Sequence, residues 1–230
     1  VHKVLRSVMP IFIIPIIGTF ITAGIMMWGL GEPVGALTAN LTGWLQGMRE
    51  GSIVVLAIIM GLMLAFDMGG PINKTAWFFC FSLLEKHIYD WYAIVGVVAL
   101  MPPVAAGIAT YLAPKLFTQQ EKAAASSAIV VGATVATEPA IPYALAAPLP
   151  MITANTLSGG ITGMLVIAFG IKRLAPGLGI FDPLIGLMSP AGSFYLVLAI
   201  GLALNISLII ILKGLWLKRK AAQQELAHEH

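Results

Sequence analysis

Charge is scarce in this sequence: Asp, Glu, Lys and Arg make up 10% of the chain, while hydrophobic residues make up 59%. A soluble domain carries roughly a quarter of its residues as charged groups. The chain therefore cannot build an ordinary hydrated surface, and its mean hydropathy of +0.93 requires an apolar solvent. Cysteine is reduced to Cys80, which excludes an intrachain disulfide and any multi-cysteine metal centre. Trp77, Phe78, Phe79 and Phe81 surround it in sequence and give it a packing role with a protonated thiol. His228 and His230 sit at the chain end without the further ligands and rigid spacing that zinc demands, so no metal site is expected. Walker, Gly-x-Gly-x-x-Gly and HExxH motifs are absent, which gives no support for ATP, dinucleotide or zinc chemistry, and no cofactor is expected. Asp67 and Glu138 alone do not define a glycosidase pair, so no catalytic residue is assigned.

What is present is long uncharged sequence. Val8 to Gly31 and Leu184 to Leu212 carry no charge, and Ala123 to Ile171 carries only Glu138. A crossing needs about 20 mainly apolar residues. The pattern predicts an all-α, polytopic membrane protein surrounded by lipid, with spans near Val8–Trp28, Trp91–Ala113, Met151–Ile171 and Phe194–Leu217. Pro10, Pro15 and Pro102-Pro103 are expected to kink or break their helices. The membrane domain is placed at residues 1–217, followed by a basic then polar tail, 218–230, in which Ala221 to Leu226 extends a short helix. Basic residues stand where apolar runs stop, at Lys3 and Arg6, Lys115 and Lys122, Lys172-Arg173, and Lys218-Arg219-Lys220. This is a topology pattern and not a nucleic-acid footprint, and it favours cytoplasmic exposure of the first and last groups, with Lys115 and Lys122 as a third candidate. Tyr111 and, between Leu112 and Ala124, Lys115, Gln119, Gln120, Glu121 and Lys122 are read as marking an aqueous connection.

Two polar segments interrupt this apolar background. Asp67-Met68-Gly69-Gly70-Pro71-Ile72-Asn73-Lys74 follows the uncharged run Ser52 to Phe66, and Gly69, Gly70 and Pro71 make a continuous helix unfavourable. Thr137-Glu138-Pro139-Ala140-Ile141-Pro142 repeats the problem, with Pro139 and Pro142 shaping the backbone. Irregular backbone at membrane depth must face protein or water, so broken or re-entrant helices around a solute cavity are expected. A third break, Leu174 to Pro183, ranks below these as a ligand site. Asn155 to Gly160 fits either close helix packing or solute access, and Asn205 and Ser207 are weaker cavity candidates.

The chemistry of the two breaks admits alternatives. Asp67, Asn73 and Lys74 can together accept and donate hydrogen bonds to a polyol. They can equally form an Asp67–Lys74 salt bridge while Asn73 caps a helix. Glu138, alone in its stretch, can bind sugar hydroxyls or carry a proton, with Thr137 in support.

The run Phe66 to Ala76, followed downstream by Ala136-Thr137-Glu138-Pro139-Ala140-Ile141-Pro142-Tyr143, resembles the fructose family of bacterial phosphotransferase-system membrane (EIIC) components. The resemblance spans most of the chain, which looks like the later two-thirds of such a domain with its first spans missing. It implies an inner-membrane permease, dimeric, that carries a fructose-like or mannosyl sugar inward while a separate EIIB phosphocarrier component phosphorylates it. Glu138 is then the foremost sugar-site residue, with Asp67, Asn73 and Lys74 in binding or gating. Many relatives have glycine where Pro139 stands, and some carry His-Gly-Gly near Pro176-Gly177-Leu178-Gly179, where this chain has no histidine. Cys80 has the wrong setting for the partner's phosphorylated cysteine. A proton-coupled sugar transporter using Asp67 or Glu138 is the alternative, and a non-transporting scaffold a third.

Overall fold

A computed structural model describes residues 14–25, 32, 36, 40 and 53–228. The chain divides into two compact units, Val1–Trp44 and Leu45–His230. The first contains helix α1 (Ile14–Ile25), the described part of the span expected at Val8–Trp28. Pro15 falls in its first turn, where the missing N–H breaks no helical bond, and Pro10 lies outside the described residues.

The second unit contains α2 (Ile53–Phe66), α3 (Pro71–Leu84), α4 (Asp90–Val98), α5 (Met101–Leu112), α6 (Gln119–Gly132), α7 (Ile141–Ala146), α8 (Pro148–Ala168) and α9 (Ala191–His228). Strands β1 (Lys172–Arg173) and β2 (Met188–Ser189) form a short antiparallel ribbon between α8 and α9. Among the described residues, three helical stretches are long and apolar enough to cross a membrane: Asp90–Leu112, Pro148–Ala168 and Ala191–Glu225. The chain is thus a mainly helical, multi-pass membrane protein. The first of these stretches is α4 and α5 joined at Ala99 and Leu100, where Pro102 and Pro103 enter the first turn of α5, as their missing donors require. The third continues through Lys218 to His228 without a break at the expected 217/218 boundary, although Lys218 to Glu225 are exposed.

α2 lies against α8 on glycine. A Cβ on Gly61 would collide with the Gly159 carbonyl and come within 3.1 Å of the Gly160 Cα; one on Gly159 would sit 2.6 Å from the Gly61 carbonyl oxygen. Packing is therefore the structural role of Gly159 and Gly160. Gly61→Ala is expected to force the two helices apart and lower stability by about 1–3 kcal/mol, the range for overpacking. Thermal unfolding in detergent checks this against Gly192→Ala, whose added methyl meets nothing within 4 Å.

α2, α3 and α6 have 14 residues each, about 21 Å of helix against a hydrocarbon layer of about 30 Å. Each belongs to a hairpin that enters and returns on one side. α2 starts beside the C-terminal end of α8, with the Ala57 carbonyl against Gly163. α3 returns there: Trp77 and Phe81 pack on Tyr92, which in turn lies under Arg173, just beyond α8. α6 starts at the opposite end. It runs antiparallel to α5, with Gly107 on Ala125 and Ile129 and Gly132 on Pro103. α7 then brings the chain back, since the Tyr143 hydroxyl donates to the Glu121 carbonyl at 2.9 Å. The expected broken helices are therefore two opposed hairpins whose helices are each shorter than a full crossing.

The connection before α6 departs from the sequence expectation. Thr118 caps α6 in a reciprocal box with Glu121, but the Glu121 carboxylate is buried and paired with Lys213 of α9. Lys213 also lies over the Phe117 ring, 3.9 Å from its centroid. Glu121 is thus not part of an aqueous segment: burial of a lone carboxylate is costly, and Lys213 supplies the compensating charge.

Candidate functional site

The first hairpin turns at Asp67 to Gly70. Asp67 accepts hydrogen bonds from the backbone N–H groups of Ile72, at 2.8 Å, and Asn73, at 2.9 Å, so its carboxylate closes the N-terminus of α3. Gly70 makes room for it, since a Cβ there would stand 2.5 Å from Asp67 Oδ2. Asn73 is buried, and its side-chain amide donates to the Leu64 carbonyl, tying α3 back to α2. Pro71 occupies the first helical position. Gly70 is the N-cap residue, and Asp67, not Asn73, supplies the side chain that closes this helix end, while Lys74 faces Glu138 instead of Asp67. Asp67→Ala would remove an acceptor shared by two helix-terminal donors. The expected cost is about 1–2 kcal/mol, read as faster hydrogen exchange at Ile72 and Asn73, with Asp67→Asn milder.

The second hairpin turns at Ala133 to Ala140. Thr134 and Val135 close the end of α6, and Glu138–Ala140 form a single tight turn with Pro139 in its first positions. Pro142 is accommodated at the start of α7. Val135 has φ of 70°, Met68 of 48° and Gly69 of 103°. For β-branched Val135 this left-handed backbone is strained, and strain at both tips is the pattern of a loop whose shape serves something other than stability.

The two tips meet. A Cβ on Gly69 would lie 2.9 Å from Glu138 Oε1 and 3.3 Å from the Thr137 hydroxyl, so glycine is required both by φ and by proximity. Lys74 Nζ stands 3.7 Å from Glu138 Oε1, and the two side chains are 50% and 53% exposed. At that separation they attract without closing a hydrogen bond, and half of each remains open to a ligand. Thr137 is buried beneath them.

Other predicted groups are placed differently. Asn155 and Asn205 are fully buried: Asn205 donates to the Asn155 side-chain oxygen at 3.1 Å, and the Asn155 amide reaches Met68 sulfur at 3.9 Å. They support the first tip from behind. Ser207 bonds locally to the Ala203 carbonyl. The third break is braced by a buried Arg173–Asp182 pair at 2.6 Å, with Arg173 over the Tyr92 ring. It reaches the second tip through Ile180 N–H to the Ala133 carbonyl, 3.0 Å, and Gly179 at φ of 66° rests against Ala133 and Val135. Sequence reasoning missed Arg173 as a buried charge because it stands beside Lys172 at the end of an apolar run. A cavity of about 350 Å³ beside Asp67 is walled by Phe66, Met68, Ile141, Leu145 and Ile152. Its apolar walls suit a sugar poorly, and neither Lys74 nor Glu138 lines it. The half-exposed Lys74 and Glu138 at the two tips have the better chemistry for hydroxyl groups.

Residues 1–159 match the family described as "Phosphotransferase system, EIIC". The chain belongs to the phosphotransferase-system EIIC family. It is 72% identical over 230 residues to the fructose-like PTS system EIIBC component of Escherichia coli K12, covering 99% of this EIIC chain and 48% of that protein. Fructose-like permease IIC component 2 of the same organism is 57% identical over 169 residues, 72% of this chain and 47% of the relative. The PTS system fructose-specific EIIB'BC component of Xanthomonas campestris is 35% identical over 91% of this chain and 36% of its own length. This EIIC chain thus spans about half the length of the two more similar curated relatives, or less in the third. No solved structure gives a significant match.

Proposed function

We propose that this EIIC chain moves a hexose or hexose derivative, fructose-like or mannosyl, inward across the bacterial inner membrane, coupled to phosphorylation by an EIIB phosphocarrier component. The observation that carries this reading is the meeting of the two hairpin tips, where half-exposed Glu138 and Lys74 stand 3.7 Å apart without closing on each other. A carboxylate accepts hydroxyl hydrogens and an ammonium donates to hydroxyl oxygens, so the pair can hold neighbouring hydroxyls of one sugar. Thr137 supports the turn, Asp67 and Asn73 fix its counterpart, and Gly69, Gly70, Pro71, Pro139 and Pro142 set the backbone. These are the groups we assign to binding and gating.

Within this reading the chain orients the sugar and controls access, and the phosphoryl group comes from the partner; orientation alone can lower a barrier substantially. Cys80 is buried in α3, so it is not the phosphoryl carrier. Lys115 and Lys218 to Lys220 flank elements that touch at one end, where Leu116 lies 3.9 Å from a Cβ built on Gly214. We assign this basic end to the cytoplasm, where the phosphocarrier works. The homodimer implied by the family resemblance belongs to the same proposal, and sedimentation of the full-length protein in detergent tests it.

Reconstitution of the full-length protein with its cognate phosphocarrier tests the coupled reading. Sugar phosphate should accumulate in step with sugar uptake. Uptake that proceeds on a proton gradient without phosphocarrier would replace it by the proton-coupled reading, with Glu138 as proton carrier.

A further inference from the structure

A groove lies between the first turn of α8 and the late turns of α9, away from Lys74 and Glu138. Leu149, Pro150 and Thr153 form one wall, and Leu212, Leu215, Trp216 and Arg219 the other, around about 240 Å³. The α9 residues recur at intervals of three and four, so they share one face of the helix. Along that face the chemistry changes in order: aliphatic at Leu212 and Leu215, indole at Trp216, then cationic at Arg219. Lys218 and Lys220 flank Arg219, and Lys220 Nζ lies 5.1 Å from the Trp216 ring centroid. All three cations are exposed, and among the described residues none takes part in an ion pair. The nearby acid Glu121 is buried and neutralised by Lys213, so it does not offset them.

We propose that this groove is a binding site for an anionic phospholipid. An aromatic ring between aliphatic and basic residues marks the depth at which bilayer hydrocarbon gives way to headgroups. An acyl chain fits the Leu149, Leu212 and Leu215 walls, and the phosphate comes level with Arg219 and its neighbours. Basic pockets between membrane helices on the cytoplasmic side take such headgroups. The same groove spans the beginning of α8, which follows the second hairpin directly, so an occupied site braces the strand of chain leading from Glu138. The three cations, unpaired among the described residues, select this occupant over a zwitterionic lipid or an apolar protein surface.

Native mass spectrometry of the full-length protein in detergent, titrated with phosphatidylglycerol and with phosphatidylcholine of the same acyl chains, tests the proposal. One saturable, phosphatidylglycerol-selective site is expected. Lys218→Gln/Arg219→Gln/Lys220→Gln should reduce that selectivity by about fivefold for each cation that meets the headgroup, with phosphatidylcholine binding unchanged. Lys115→Gln/Lys122→Gln, at the same end but outside the groove, should leave it intact. Equal binding of the two lipids, or an equal loss in the Lys115/Lys122 variant, would overturn a specific site. Displacement by soluble glycerol 3-phosphate at the same concentration would show that the apolar walls contribute nothing and would overturn the lipid assignment. Efficient disulfide dimerisation of Leu215→Cys with exclusion of lipid would assign the groove to a second copy instead.

Discussion

Glu138→Gln is expected to weaken sugar binding by about ten- to a hundredfold while leaving the fold intact. Hydrogen bonds to charged groups contribute about 1.5–3 kcal/mol, and each 1.4 kcal/mol is about a tenfold change in affinity. The amide retains the shape of the carboxylate but exchanges one acceptor for a donor, so a hydroxyl that donates to Glu138 would meet an N–H. Stability should change little, because the side chain is 53% exposed and its contact with Lys74 is long at 3.7 Å. Glu138→Asp keeps the charge but shortens the side chain and should be intermediate. Lys74→Met removes the opposing donor and should weaken binding less, since a neutral hydroxyl oxygen is the weaker partner. Isothermal titration with a sugar panel, paired with melting curves, separates these effects. Unchanged affinity in Glu138→Gln with a correctly folded protein would remove Glu138 from the site even though membership of the EIIC family would stand.

The sequence made the two breaks legible because glycine and proline have few local solutions in an apolar run. Gly70-Pro71 starts α3, and Pro139 and Pro142 fall in the first positions of their turns. Asp90–Leu112 and Pro148–Ala168 lie close to their predicted spans because a long apolar run with little charge is also a local signal. What sequence left open is what depends on distance along the chain. Asp67 and Lys74 are near enough in sequence to invite a salt bridge, yet a helix N-terminus competes for the carboxylate and wins because two N–H groups point at it. Lys74 is then free to face a carboxylate from the other hairpin. Nothing local indicates that Gly69 meets Thr137 and Glu138, although a glycine required at both a positive φ and a close approach is the residue such a meeting needs. Glu121 was misread because Gln119, Gln120 and Lys122 surround it with polar sequence. The missed signal was Lys213, a single charge inside an otherwise apolar span, the same feature that drew attention to Glu138.

Lys213→Met is accordingly expected to be among the most destabilising single changes in the membrane unit, by about 3–5 kcal/mol. That is the usual penalty when removal of one partner leaves the other charge buried. Glu121 cannot turn to water without abandoning α6, because its second carboxylate oxygen accepts from the Thr118 N–H at 2.8 Å in the capping box. Its backbone carbonyl also holds Tyr143, at the returning end of the same hairpin. The loss should therefore spread from α9 to both stems of the hairpin that carries Glu138. Adding Glu121→Gln should recover most of the stability, since a neutral amide retains an acceptor for Thr118 and leaves no bare charge. Such recovery would be a non-additivity of several kcal/mol between residues in contact. Melting of the two single variants and the double variant in the same detergent reads the coupling directly. Additive losses would show that α9 holds α6 by shape and not by charge, whereas recovery in the double variant would identify the buried pair as the tie between α9 and the hairpin that carries Glu138.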